Sequence, residues 1–193
     1  MTLPNKLSLI RLSVAPVYFL LFWLDLTLNK PEATLTINII LIILITLAEI
    51  SDAMDGRLAR SRGEVTDFGK LFDPFADHVS RFTIFFCFWW LQLVPAWMVV
   101  LIFYREVSVS FLRLLVRGEN VVLAARRSGK IKAIVQAIAI YGILIARILH
   151  FWIQELPVPI VASSIMAIVV IVTLISMFDY IFSCKDIIKQ IEK

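Results

Sequence analysis

The sequence predicts an all-α integral membrane protein of six transmembrane helices, with a short amphipathic segment at the N-terminus. Two observations carry this expectation. The chain of 193 residues is 60% hydrophobic and only 18% charged, a balance too apolar for an ordinary soluble domain of that length. Apolar windows long enough to cross a hydrocarbon core of roughly 30 Å recur about six times along it. No tandem repeat, sustained heptad pattern or low-complexity linker divides the chain, so residues 1–193 read as one domain.

The first span covers about Leu7 to Leu28, carries Pro16 and ends in the turn-forming run Asn29, Lys30, Pro31. Lys6 and Arg11 flank the start of this apolar run, as in a secretory leader. The run is too long for a leader and lacks a small-residue cleavage site, so it reads as a retained span. A second span, about Thr34 to Ile50, passes directly into Ser51 and Asp52. After a loop at 63–66, a third helix carries Gly69, Asp73 and Asp77 and runs on to Pro95; Pro74 within it lacks a backbone donor and is expected to bend it. The fourth span, about Ala96 to Val116, contains Arg105, Glu106 and Arg113. Charges inside a span are expensive, so these are expected to face a polar cavity. A mutual Arg105–Glu106 pair or snorkelling is the plain alternative, the pairing weakened because adjacent positions on a helix point apart. A basic connector with Arg117, Arg126, Arg127, Lys130 and Lys132 precedes the fifth span, Ile131 to Ile153, and the sixth, Pro157 to Phe182.

A net charge of +4 raises the question of nucleic acid, but the basic residues lie at the ends of apolar segments rather than on a polar face with interleaved aromatics. Anionic lipid and phosphate are the better partners. Cys87 and Cys184 stand far apart in or beside apolar runs and imply no disulfide framework. With six spans, both termini and the connectors after spans two and four share one side, and of the 19 Lys and Arg residues only Lys30 and Arg147 lie toward the other. The positive-inside rule therefore directs the Asp52–Asp77 segment toward the cytoplasm, in a bacterial chain from the inner membrane; a mitochondrial or endoplasmic-reticulum membrane is the alternative.

That segment, DAMDGRLARSRGEVTDFGKLFDPFAD, holds the chemistry. At 3.6 residues per turn, Asp52, Asp55, Gly56 and Ala59 fall on one helix face, and Gly69, Asp73 and Asp77 form a second single stripe. The small residues let a backbone or a ligand's phosphates approach the carboxylates. Four converging acids in an apolar chain repel one another unless a cation sits among them. All-oxygen ligation suits a hard divalent ion such as Mg²⁺ or Mn²⁺, and four carboxylates are enough for two ions. Solvated loop charges paired with Arg57, Arg60 and Arg62 are the bland alternative, against which the regular spacing counts.

The same string resembles the signature of the CDP-alcohol phosphatidyltransferases, D-x-x-D-G-x-x-A-R, then eight residues, then G-x-x-x-D-x-x-x-D. Asp52, Asp55, Gly56, Ala59, Arg60, Gly69, Asp73 and Asp77 match every specified position within 26 residues, and the hydrophobic pattern resembles the family's six-span domain. Near the N-terminus, Pro4, Asn5, Leu7 and Arg11 resemble the family's entry P-N-x-L-T-x-x-R, with Ser8 in place of threonine; Asn5 and Arg11 then either help hold the nucleotide or anchor the interface. The resemblance implies transfer of a phosphatidyl group from CDP-diacylglycerol to a hydroxyl, with CMP leaving. It implies metal ligation by Asp52, Asp55, Asp73 and Asp77, with Asp77 also the catalytic base, and contacts to the CDP moiety from Gly56, Arg60 and Thr66.

Arg105-Glu106, Leu112-Arg113 and Gly129-Lys130-Ile131-Lys132 resemble the R-E-[IV], L-R, G-K-x-K progression of phosphatidylglycerophosphate synthases, whose acceptor is sn-glycerol 3-phosphate. Arg105, Arg113, Lys130 and Lys132 are accordingly the candidate anion pocket for a small phosphorylated alcohol. His78 stands where many of those synthases have lysine, which keeps inositol phosphate, serine, choline and phosphatidylglycerol open as acceptors. Membrane lipids are further partners, and a homodimer is left open. A cation or proton transporter is the competing class, but its carboxylates belong near the midplane on broken helices rather than beside a basic run at the cytoplasmic ends. A non-catalytic lipid-binding scaffold would not need four carboxylates at these spacings.

Overall fold

The computed structural model describes the backbone of residues 3–62, 67–118 and 127–191, and the side chains of residues 12–51, 73–112 and 128–182. Six helices follow one another: α1 (Leu3–Leu28), α2 (Pro31–Arg62), α3 (Asp67–Trp90), α4 (Ala96–Gly118), α5 (Arg127–Leu149) and α6 (Val158–Ile191). No strand occurs among the described residues. The Asp52, Asp55, Gly56, Arg60 and Arg113 side chains, and all of Thr66, lie outside what is described. So do the side chains of Asn5, Arg11 and Cys184.

Short, chemically defined breaks separate the helices. Asn29, in the left-handed region at φ 44°, ends α1, and its amide donates to the Asp25 carbonyl at 3.1 Å. Pro31 then opens α2, where a missing amide costs nothing. The third helix stops at Trp90 rather than continuing to Pro95. Gln92 takes φ 60°, its amide donates to Trp89 O at 2.8 Å, and the Leu93 amide donates to Phe88 O at 2.9 Å. This is the paired hydrogen-bond pattern that closes a helix C-terminus, with Leu93 and Phe88 both buried in the core. The fifth helix likewise ends at Leu149, four residues before the expected Ile153, in a turn where His150 Nδ1 meets the Leu156 carbonyl at 3.1 Å. Pro157 caps α6, its carbonyl accepting from the Ile160 and Val161 amides.

Helices distant in sequence pack together, α1 against α3, α2 against α5 and α4 against α6, and so do the consecutive pairs α1 with α2 and α5 with α6. Their shared core includes Phe22, Phe85, Phe88, Ile102, Ile143, Leu144 and Met166, with Phe22 meeting Phe88 edge to face at 5.7 Å. Large apolar side chains also cover the outside, among them Ile138, Ile160, Ile168, Ile171 and Ile175, each more than half exposed. Residues 31–51, 128–149 and 158–182 are long and apolar enough to cross a membrane, and Leu12–Leu28 forms a shorter apolar helix. An apolar exterior of this kind belongs in lipid, and the chain is a membrane protein. The α3 and α4 helices carry charged or polar residues within their length, Asp73, Asp77, His78 and Arg81 on α3 and Arg105 and Glu106 on α4.

At the end away from the acidic motif, α1, α2 and α5 are joined by a buried polar cluster. The Arg147 guanidinium pairs with Asp25 and donates to Asn38 Oδ1 at 3.1 Å, while Thr34 Oγ1 donates to Asp25 Oδ1 at 2.6 Å. Both charged side chains are nearly inaccessible. Removing one partner strands the other charge, so Arg147→Ala is expected to destabilise the protein by about 3 to 5 kcal/mol in detergent unfolding, and the double replacement Asp25→Leu with Arg147→Met by clearly less.

Candidate active site

The α2 helix continues unbroken through Asp52, Asp55, Gly56 and Arg60 to Arg62, so their helical register, and hence the single acidic stripe, holds in the backbone. On α3, Asp73 and Asp77 lie one turn apart and both are half-buried. Asp77 lines a cavity of about 260 Å³ enclosed by α1, α2, α3 and α5, together with Glu49, Ser80, Arg81 and Tyr18. Arg81, one turn along α3, donates from Nε to Asp77 Oδ1 at 2.9 Å, hydrogen-bonds the Ala133 carbonyl of α5 through Nη1, and reaches within 4.0 Å of Glu49 on α2.

Behind Asp77, on the side facing α4, a buried network converges on Glu106. Its carboxylate pairs with Arg105 Nη1 at 2.9 Å, with the Lys132 ammonium of α5, and with His78 Nδ1 of α3 at 3.1 Å; Gln136 Nε2 donates to it at 3.3 Å. Arg105 is 2% exposed. Its Nη2 donates to Ser176 of α6 at 2.7 Å, and its guanidinium lies 5.8 Å from the centre of the Tyr180 ring. One carboxylate thus serves cations or donors from two other helices, α3 and α5, besides its own helix neighbour. A second cleft, of about 400 Å³, runs between α3 and α4 past Phe75, Phe82, Phe103 and Phe111 and ends on His78 and Glu106. Its outer rim is exposed and aromatic.

Three of the four predicted anion-pocket residues, Arg105, Lys130 and Lys132, have described side chains. Arg105 and Lys132 are brought together, but by Glu106, and both are buried. The pairing of Arg105 with its neighbour, which helix geometry alone disfavours, is nonetheless made, with Nη1 donating to Glu106 Oε2 at 2.9 Å. Lys130 is exposed. Two residues on α5 span about 200° of rotation, so the Gly-Lys-x-Lys run sends one lysine into the protein and the other outward. Among the described residues no three His, Cys, Asp or Glu side chains gather as a metal site. The described half of the proposed donor set, Asp73 and Asp77, supplies the hard oxygen ligands that Mg²⁺ or Mn²⁺ takes.

Residues 1–175 match the CDP-alcohol phosphatidyltransferase family. The chain belongs to that family. Among its relatives in it, a CDP-diacylglycerol–glycerol-3-phosphate 3-phosphatidyltransferase of Bacillus subtilis is 35% identical over 148 residues, covering 74% of this chain and 76% of the relative. An enzyme of the same name from Rickettsia typhi is 33% identical, over 95% of this chain and 97% of its own. Another from Treponema pallidum is 27% identical over 99% of this chain and 93% of its own. As a CDP-alcohol phosphatidyltransferase, the chain uses a CDP-linked lipid and an alcohol acceptor, and its six-helix fold agrees with the expected architecture.

Sequence reasoning singled out Glu106 only as a neighbour of Arg105, and it missed Arg81 and Gln136. Spacing held a signal for two of them: Asp77 and Arg81 are an i, i+4 pair, and Lys132 and Gln136 are another. Because Glu106 is the shared counter-charge of two buried cations, Glu106→Ala is expected to cost about 3 to 5 kcal/mol in detergent unfolding, more than Asp77→Asn at the edge of the cavity.

Proposed function

We propose that the chain transfers the phosphatidyl group of CDP-diacylglycerol to the primary hydroxyl of sn-glycerol 3-phosphate, giving phosphatidylglycerophosphate and CMP. The observation that carries this reading is the half-buried Asp77, on the cavity beside the motif, with the buried Arg105–Glu106–Lys132 network directly behind it. The names of the Bacillus, Rickettsia and Treponema relatives support the acceptor.

Asp77 accepts the acceptor hydroxyl's proton as that oxygen attacks the phosphatidyl phosphorus and the bond to CMP breaks. This is a direct in-line displacement with no phospho-enzyme, and its demand on the protein is positioning and charge neutralisation. Gly56, Arg60 and Thr66 hold the CDP moiety: glycine admits close approach, arginine forks onto phosphate, and the threonine hydroxyl bonds base or sugar. Asp52, Asp55, Asp73 and Asp77 would hold two Mg²⁺ or Mn²⁺ ions, which when bound neutralise pyrophosphate charge. Lys130 and Arg113 are the cations assigned to direct contact with the acceptor phosphate. Arg105 and Lys132, tied to Glu106, form the fixed wall behind them. The positive-inside asymmetry orients this end toward the cytoplasm, where a soluble phosphorylated acceptor is supplied.

Purified protein given CDP-diacylglycerol and a panel of labelled acceptors tests the assignment by CMP release. Glycerol 3-phosphate is expected to be used best; preference for serine or choline overturns the acceptor while leaving the family chemistry. Asp73→Asn and excess chelator are each expected to abolish turnover in folded protein, and full activity in chelator refutes the metal. Asp77→Asn should lose turnover while retaining nucleotide binding better than Asp73→Asn. Lys130→Gln is expected to raise the KM for glycerol 3-phosphate about tenfold, the equivalent of one charge-assisted contact, with the KM for CDP-diacylglycerol unchanged.

A further inference from the structure

Asp77 sits on a helix with a side chain whose terminal torsion is soft, and a carboxylate that must meet a reacting hydroxyl needs something to stop it turning. The group that touches it is Arg81. Its side chain is only 17% exposed, and each of its nitrogens is engaged differently: Nε on Asp77 Oδ1 at 2.9 Å, Nη1 on the Ala133 carbonyl, and Nη2 toward Glu49 Oε1 at 4.0 Å. The three anchors belong to α3, α5 and α2, the helices that enclose the cavity holding Asp77. Arg81 also lines the aromatic cleft on the far side, so it forms part of the wall between the polar cavity and the lipid-facing one.

We propose that Arg81 is a positioning residue for the transfer reaction: clamped by α2 and α5, it holds Oδ1 of Asp77 and thereby presents Oδ2 to the acceptor hydroxyl. This rests on the phosphatidyl-transfer reading and on Asp77 as the base. An arginine suits the task because its planar fork bonds in several fixed directions at once, which a lysine ammonium on a flexible stem does not. A plain helix staple would use the same Ala133 and Glu49 contacts, but it would not need Nε to be spent on the one carboxylate assigned to proton transfer.

The test compares wild type, Arg81→Lys and Arg81→Gln as purified full chains, measuring kcat, the KM for CDP-diacylglycerol, calorimetric CMP binding and the thermal unfolding midpoint. Misplacing a catalytic group by about an ångström costs on the order of a hundredfold in rate, so kcat of Arg81→Gln is expected to fall by about that factor. The KM for CDP-diacylglycerol and CMP affinity are expected to stay within about threefold, because the lost interaction acts on the reacting groups alone. Arg81→Lys keeps the charge without the fork and is expected to recover only part of the rate. A lower unfolding midpoint with unchanged kcat per folded molecule, or full kcat in Arg81→Lys, assigns Arg81 to the staple and overturns the proposal. Should Arg81→Gln fail to fold, the lysine variant decides by the same kcat criterion. Wild-type protein that releases no CMP with any acceptor overturns the transferase reading together with this one, whereas active wild type with equally active variants overturns this one alone.

Discussion

Glu106 is the charge on which the polar end of the bundle depends. It lies within a helix otherwise rich in Val, Leu and Phe, and it is 8% exposed. A buried carboxylate without partners is strongly unfavourable in an apolar surround, and so is a buried guanidinium or ammonium. Together the three offset one another, and the offset holds only while α3, α4 and α5 stay in register. His78 and Gln136 satisfy further acceptor positions on the same carboxylate. Arg105 extends the network to α6 through Ser176 and Tyr180. The result is a rigid wall on one side of Asp77.

The opposite end of the molecule repeats the device with different helices. There Asp25, Asn38 and Arg147 join α1, α2 and α5. In lipid, apolar side chains gain little by preferring one another to acyl chains, so packing of small and aromatic surfaces and a few satisfied polar clusters must specify which helices meet. The two networks share α5, which also packs on α6. That helix connects the α1–α2–α3 side, where the donor motif lies, with the α4–α6 side, where Arg105 is buried.

Catalytic order follows from this arrangement. Asp77 occupies the seam between the two halves, gripped by Arg81 from within the membrane and flanked by the Glu106 network. The polar cavity and the aromatic cleft lie on either side of that seam. The proposed reaction, joining a lipid donor to a phosphorylated acceptor with Asp77 as base, would use both environments, one carrying Glu49, Asp77 and Arg81, the other lined by exposed aromatic side chains.

The local pattern alone was enough for the number and order of the helices and for the acidic motif, while α1, α2 and α5 begin about a turn before their apolar runs, at Leu3, Pro31 and Arg127. Apolar run length and the prolines at 31, 95 and 157 are read residue by residue, and the signature from Asp52 to Asp77 states its spacing directly. Helix ends at Trp90 and Leu149 escaped because they depend on Gln92 adopting a left-handed conformation and on the His150–Leu156 contact, neither of which apolar run length encodes. The family signature was legible for the same reason the helices were: its residues are close in sequence. The cations at 105, 130 and 132 were recognised by type, but not which of them are buried against a carboxylate. Which of them faces inward was decided by the packing of α5, and what they meet was decided by Glu106, 26 residues from Lys132 along the chain. Charge pairing between helices is a long-range property. It depends on which faces the bundle turns toward each other, and only the tertiary structure supplies that.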